Sequence, residues 1–115
     1  MKNLREELKV FTGTFHYYDH WGLQLTDGVM YLAERAEAHW LVDLVWSYQC
    51  REHIKKEPFQ LYQLVVDKKE QKGTVTCSDG NDNILMSQEI QYTDFPLEKI
   101  SLYLIDGILL LPSEY

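Results

Sequence analysis

Apolar residues change their spacing near Pro58, and the elements they predict change with it. Upstream they recur at helical intervals. Downstream they alternate, as in strands whose two faces differ. A run of helices followed by a run of strands, without βαβ alternation, predicts an α+β fold. The expected architecture is about three N-terminal helices packed on one face of a C-terminal antiparallel meander sheet of about five strands. Residues 1–115 are expected to form a single α+β domain.

Asn3 is placed to cap a first helix, with Glu6 at the reciprocal capping-box position. Leu4, Leu8 and Phe11 then share one face, and Gly13 is the expected stop. The aromatic stretch Phe15-His16-Tyr17-Tyr18-Asp19-His20-Trp21 fits a helical turn or an ordered loop equally well. Thr26 can cap the next helix, and Asp27 in its first turn favours the positive end of the dipole. Val29, Leu32, Ala33 and Ala36 make its buried stripe, with Tyr31, Glu34 and Arg35 outward.

Residues 38–51 predict a third helix that is apolar almost all round: Trp40, Leu41, Val42, Leu44, Val45, Trp46 and Tyr48. Such a helix is either centrally buried or carries a partner interface. Its polar residues are His39, Asp43, Ser47 and Cys50. At about 100° per residue they fall within an arc of roughly 80°. That narrow polar seam is the most specific pattern in the chain.

The strand half begins at Phe59. Residues 59–66 and 74–77 are rich in strand formers, and Ser78-Asp79-Gly80-Asn81-Asp82-Asn83 is strong turn chemistry. Ile84, Met86, Ile90 and Tyr92 keep one parity, with Gln88 as the exception. Asp94-Phe95-Pro96 breaks that strand. Asp106-Gly107 between two apolar runs is the best hairpin signal.

Charge narrows the function classes. The net charge is -7, which disfavours direct binding to a phosphate backbone. The basic clusters at 51–56 and 68–72 are diluted by Glu52, Glu57 and Glu70 and read as solvated loop charges. The N-terminus lacks the apolar core of a signal peptide, and no apolar run approaches the roughly 20 residues needed to span a bilayer. A cytoplasmic protein with Cys50 and Cys77 reduced is expected, with no membrane association.

Three constellations could carry chemistry. His16 with His20, and His39 with Asp43, stand at i, i+4 and would each share a helix face. Together these four could hold zinc or iron with an open position for water. Against that, the chain has no His-Glu-x-x-His and no Cys-x-x-Cys, so a cofactor is not expected. Cys50 could act as a nucleophile with His53 or His39 as its base, but a helix C-terminus opposes a thiolate, and a buried inert cysteine fits better. The aromatics of the helical half could line a pocket, though core or interface packing fits them more simply. The acidic residues of that half could mimic a nucleic acid, yet solubility alone accounts for them.

Three stretches resemble a family of small uncharacterised bacterial proteins, a domain of unknown function found in cyanobacteria and other bacteria. They are Phe11-Thr12-Gly13-Thr14 leading into Tyr17-Tyr18-Asp19-His20-Trp21; Thr26-Asp27-Gly28-Val29 with Tyr31-Leu32-Ala33-Glu34 and Trp40-Leu41-Val42-Asp43; and Gln91-Tyr92-Thr93-Asp94-Phe95-Pro96 with Leu111-Pro112-Ser113-Glu114-Tyr115. The resemblance spans nearly the whole chain and implies a complete bacterial protein. It brings no activity, cofactor or catalytic residue with it. The expectation is a small non-catalytic binding or interaction protein, with a protein partner or a homo-oligomer. The alternative is a metal-dependent or small-ligand-binding enzyme built on His16, His20, His39 and Asp43.

Overall fold

A computed structural model describes residues 4–115; the expected Asn3 cap lies outside them. The chain forms α1 (Leu4–Leu8), β1 (Tyr18–His20), β2 (Leu23–Leu25), α2 (Asp27–Arg35), α3 (His39–Tyr48) and α4 (Glu52–Lys55). It continues through β3 (Phe59–Asp67), β4 (Lys72–Ser78), β5 (Ile84–Ile90), β6 (Lys99–Ile105) and β7 (Ile108–Leu110), ending in a 3₁₀ turn at Pro112–Glu114. The α+β class holds, with two corrections. The described residues contain four α-helices rather than three, and the sheet has seven strands in the order β1-β2-β7-β6-β3-β4-β5.

The sheet is mixed, not purely antiparallel, because β2 runs parallel to β7. The two extra strands come from the aromatic stretch. It is not helical: Phe15–Tyr17 are irregular, and Tyr18–His20 pairs with Leu23–Leu25 across a tight turn at Trp21 and Gly22. Both turn residues are left-handed (φ 54 and 100), the backbone of a two-residue hairpin. The Asp106-Gly107 hairpin forms as expected, with φ 51 and 79. The first helix stops at Leu8 rather than at Gly13. Lys9, Val10 and Phe11 instead donate main-chain bonds three residues back, to Glu6, Glu7 and Leu8, which tightens and ends the turn.

The meander also departs from sequence order. β3, β4 and β5 are neighbours, but β6 returns to the other side of β3. The connection carries Thr93 and Phe95 inward as buried residues, while Val66 donates its amide to the Glu98 carbonyl.

Alternation decides which face is core. Tyr62, Leu64 and Val66 of β3, Val75 and Cys77 of β4, and Leu102 and Leu104 of β6 are buried with Leu41, Val42, Val45 and Tyr48 of α3. The third helix is therefore one-sided. Trp40 and Leu44 are half-buried, and Trp46 is exposed. On α2, Val29, Leu32 and Ala33 are buried as expected. Tyr31 is not simply outward: its hydroxyl donates to Glu7 Oε1 at 2.6 Å, and Arg35 holds the same carboxylate at 3.1 and 3.2 Å, tying α1 to α2.

Candidate functional site

The hairpin β1–β2 lies beside α3, and its tip brings together two residues of the predicted constellations. His20 Nε2 sits 2.7 Å from Asp43 Oδ1. His20 is largely covered, its side chain 16% exposed, whereas that of Asp43 is 62% exposed. Next to this pair, the Trp46 indole N–H donates to the Trp21 carbonyl at 3.0 Å. The two indole rings lie 6.4 Å apart and tilted at 52°. Trp21 is 77% exposed and Trp46 39%. A bulky residue in the left-handed region is costly. Strand pairing on both sides of Trp21 and the Trp46 bond to its carbonyl keep it there.

The other predicted site residues do not join. His39 is exposed on the first turn of α3. His16 lies before β1, its ring 3.9 Å from Asp27 and 74% exposed. The i, i+4 argument for His16 and His20 fails because that stretch is extended, not helical. Among the described residues no group of three or more His, Cys, Asp or Glu side chains is placed to hold a metal ion. Ser47 donates its hydroxyl back to the Leu44 carbonyl at 2.7 Å, within its own helix. Cys50 is exposed rather than buried, and both cysteines are free thiols. His53, its suggested base, instead places Nε2 3.3 Å from the Leu85 carbonyl on β5. The polar seam is thus the solvent side of α3. Its one organised element is the His20–Asp43 pair, which has no nucleophile bonded to it. Among the described residues, five clefts of about 290 to 380 Å³ are lined by residues other than His20, Trp21, Asp43 and Trp46.

Two polar clusters escaped the sequence reading. The first is at the N-terminus of α2. Thr26 is the cap, accepting from the Val29 amide at 3.4 Å and donating to Glu114 Oε1 at 2.6 Å. Glu114 also accepts from the amides of Leu111 at 3.0 Å and Gly28 at 3.2 Å. On the other side, Asp27 accepts from the Phe15 amide at 2.9 Å, and its own amide donates to Thr14 Oγ1 at 2.8 Å. The Phe15 amide is the main reason the Asp27 carboxyl stays below its ordinary range, helped by the hydroxyls of Tyr18 and Thr14. No spacing rule links residues 28 and 114.

The second cluster lies under the sheet. Gln49 Nε2 donates to Tyr62 Oη at 2.7 Å and to Gln60 Oε1 at 2.9 Å, and Gln60 Nε2 donates to Gln49 Oε1 and the Ile54 carbonyl. Burial pushes the Tyr62 hydroxyl far upward and raises the Cys77 thiol as well. Both groups are held neutral and unreactive. Gln60 on the otherwise apolar inward face of β3, with Tyr62, Leu64 and Val66, was the available signal.

Similarity to known proteins adds a family and no activity. The model of the family of unknown function DUF6876 matches residues 2–115. The chain belongs to DUF6876. No curated protein and no solved structure matches it. The DUF6876 chain has no described helix long and apolar enough to cross a membrane.

Proposed function

We propose that this protein is a non-catalytic interaction protein of the cytoplasm, and that it engages a protein partner through the surface where the β1–β2 hairpin meets α3. The observation that carries this reading is the exposed Trp21–Trp46 pair, joined by the bond from the Trp46 indole to the Trp21 carbonyl. Tryptophan is costly to leave in water and is enriched at binding hot spots, where a rigid ring contributes contact area at low entropic cost. Asp43, three residues before Trp46 on α3, is an exposed carboxylate. Aromatic faces next to carboxylates suit a partner lysine or arginine. A cytoplasmic setting fits two thiols that stay unpaired.

Quantitative affinity capture from cells of the native host, comparing wild type with Trp21→Ala, tests the reading. A partner retained by wild type and lost with the variant supports it. Equal capture by both, or no partner for either, overturns it. Trp21→Ala removes a solvent-exposed ring and leaves the main-chain carbonyl that Trp46 uses, so the fold should persist.

A further inference from the structure

We propose that β5 is a homodimerisation edge: two copies join through it antiparallel, in the register that sets Gln88 opposite its own counterpart. β5 closes one side of the sheet, and among the described residues no strand lies beside its far edge. The opposite edge is only the three-residue β1. Natural sheets blunt free edges with lysine, proline, bulges or brevity. Over its seven residues, Ile84-Leu85-Met86-Ser87-Gln88-Glu89-Ile90, β5 has no Lys, Arg or Pro and a single charge, Glu89.

One blunting device is present, and it fixes the register. Cys77 pairs with Met86 and Ser78 with Ile84, so Leu85 is a bulged extra residue. His53 Nε2 donates to the Leu85 carbonyl at 3.3 Å, which shows that this carbonyl points away from β4. Main-chain groups alternate sides along an antiparallel strand. The outward N–H and C=O groups beyond the bulge are therefore those of Ser87 and Glu89. A twofold axis through Gln88 pairs Ser87 of each copy with Glu89 of the other. Four hydrogen bonds form. The His53–Leu85 bond survives, as does the Tyr48 hydroxyl bond to Gln88 at 2.6 Å.

The side chains match in this register too. Met86 meets Ile90 on the face that carries the helices, and both are only half-buried in one copy. Ile84, 60% exposed, is carried toward Tyr92, 67% exposed, at the two ends of the strand. No like charges oppose one another. This self-complementarity is what selects a second copy as the occupant. The inference stands on β5 alone, apart from the tryptophan surface.

Light scattering after size exclusion of the full chain is the first measurement. Wild type should reach twice 13.6 kDa at high concentration and dissociate on dilution. Two solvent-facing variants then probe the register. Ser87→Lys sets an ammonium opposite Glu89 twice per dimer, and Ser87→Glu sets a carboxylate there twice. The Glu variant should dimerise roughly tenfold more weakly than the Lys variant. Hydrogen exchange needs no variant: the amides of Ser87 and Glu89 should be protected at dimer-forming concentrations and exchange on dilution. Those of Met86, Gln88 and Ile90, which face β4, should stay protected throughout. A wild-type monomer at every concentration, equal dimerisation of the two variants, or fast exchange at Ser87 and Glu89 in the dimer overturns the proposal. Trp21→Ala should leave dimerisation unchanged, so this result is separable from the fate of the partner-binding surface.

Discussion

Truncating Glu114 should unlatch the C-terminus from α2. Its carboxylate accepts three hydrogen bonds, from Thr26 Oγ1 at 2.6 Å, the Leu111 amide at 3.0 Å and the Gly28 amide at 3.2 Å. Glu114 itself is half-buried, and Thr26 is 2% exposed. Glu114→Ala removes the acceptor and leaves the Thr26 hydroxyl and the Gly28 amide to find water. A carboxylate near the positive end of the dipole contributes about 0.3–1 kcal/mol. Leaving covered donors unpaired costs about 1 kcal/mol or more. The sum is about 1.5–2 kcal/mol, or roughly 6–8 °C in Tm for a domain of this size. Thermal and urea unfolding followed by circular dichroism measure it directly. Glu114→Gln keeps the shape and one acceptor oxygen, so its loss should be smaller.

A coupling measurement makes the same prediction sharper. A Cβ on Gly28 would come within 2.7 Å of Glu114 Oε1 and 2.6 Å of Leu111 Cδ1. Gly28→Ala must therefore push the latch aside. In that background Glu114→Ala should cost little, because both changes remove the same contact. Additive losses, or a single-mutant Tm within a degree or two of wild type, would refute the latch.

Acid stability should depend on Asp27. Its folded carboxyl is held below the ordinary value of 3.8, chiefly by the Phe15 amide, so its contribution is present above that value and is lost as pH falls through the folded one. Asp27→Asn should flatten the acid limb of a Tm-versus-pH curve below about pH 4. In a thiol titration of native protein, Cys50 should react at once and Cys77 only on unfolding, because Cys77 is fully buried and its pKa is raised. Tyr62→Phe should cost about 0.5–1.5 kcal/mol in urea unfolding, since it removes the hydroxyl's bonds with Gln49 and Gln60 while those two side chains keep each other as partners. Asp43→Asn should cost under about 1 kcal/mol, because the carboxylate that meets His20 is mostly in water.

What was legible in the sequence had a local cause. Asp106-Gly107 carries the residues that a left-handed two-residue turn prefers, so the β6–β7 hairpin could be read directly. Trp21-Gly22 makes the same kind of turn, with φ 54 and 100, but tryptophan is not a residue such turns select. The strands it joins have three residues each, too few to show a period of two. Their support is distant in sequence. Gln24 donates to the Gly107 carbonyl at 2.9 Å and Thr26 to that of Leu109 at 3.2 Å, pairings that no window of neighbouring residues contains. Gln88 broke the apolar parity of its strand because the Tyr48 hydroxyl, forty residues away, needs an acceptor there.

Of the four predicted metal-site residues only His20 and Asp43 meet, for related reasons. His16 and His20 share a face only in a helix. In an extended chain four residues span about 13 Å, beyond the reach of one metal ion. His39, Asp43, Ser47 and Cys50 do share an arc of α3, but a helix turns its most apolar side inward. Leu41, Val42, Val45 and Tyr48 take that side, and the polar arc is left to water. A narrow polar arc on an apolar helix therefore marks its exit from the core more often than a buried reaction centre. Here the excess apolar residue on that exit side is Trp46. The hairpin that sequence could not show supplies its partner, Trp21, so the tryptophan pair on which the proposed binding surface rests forms only because two segments with opposite legibility meet.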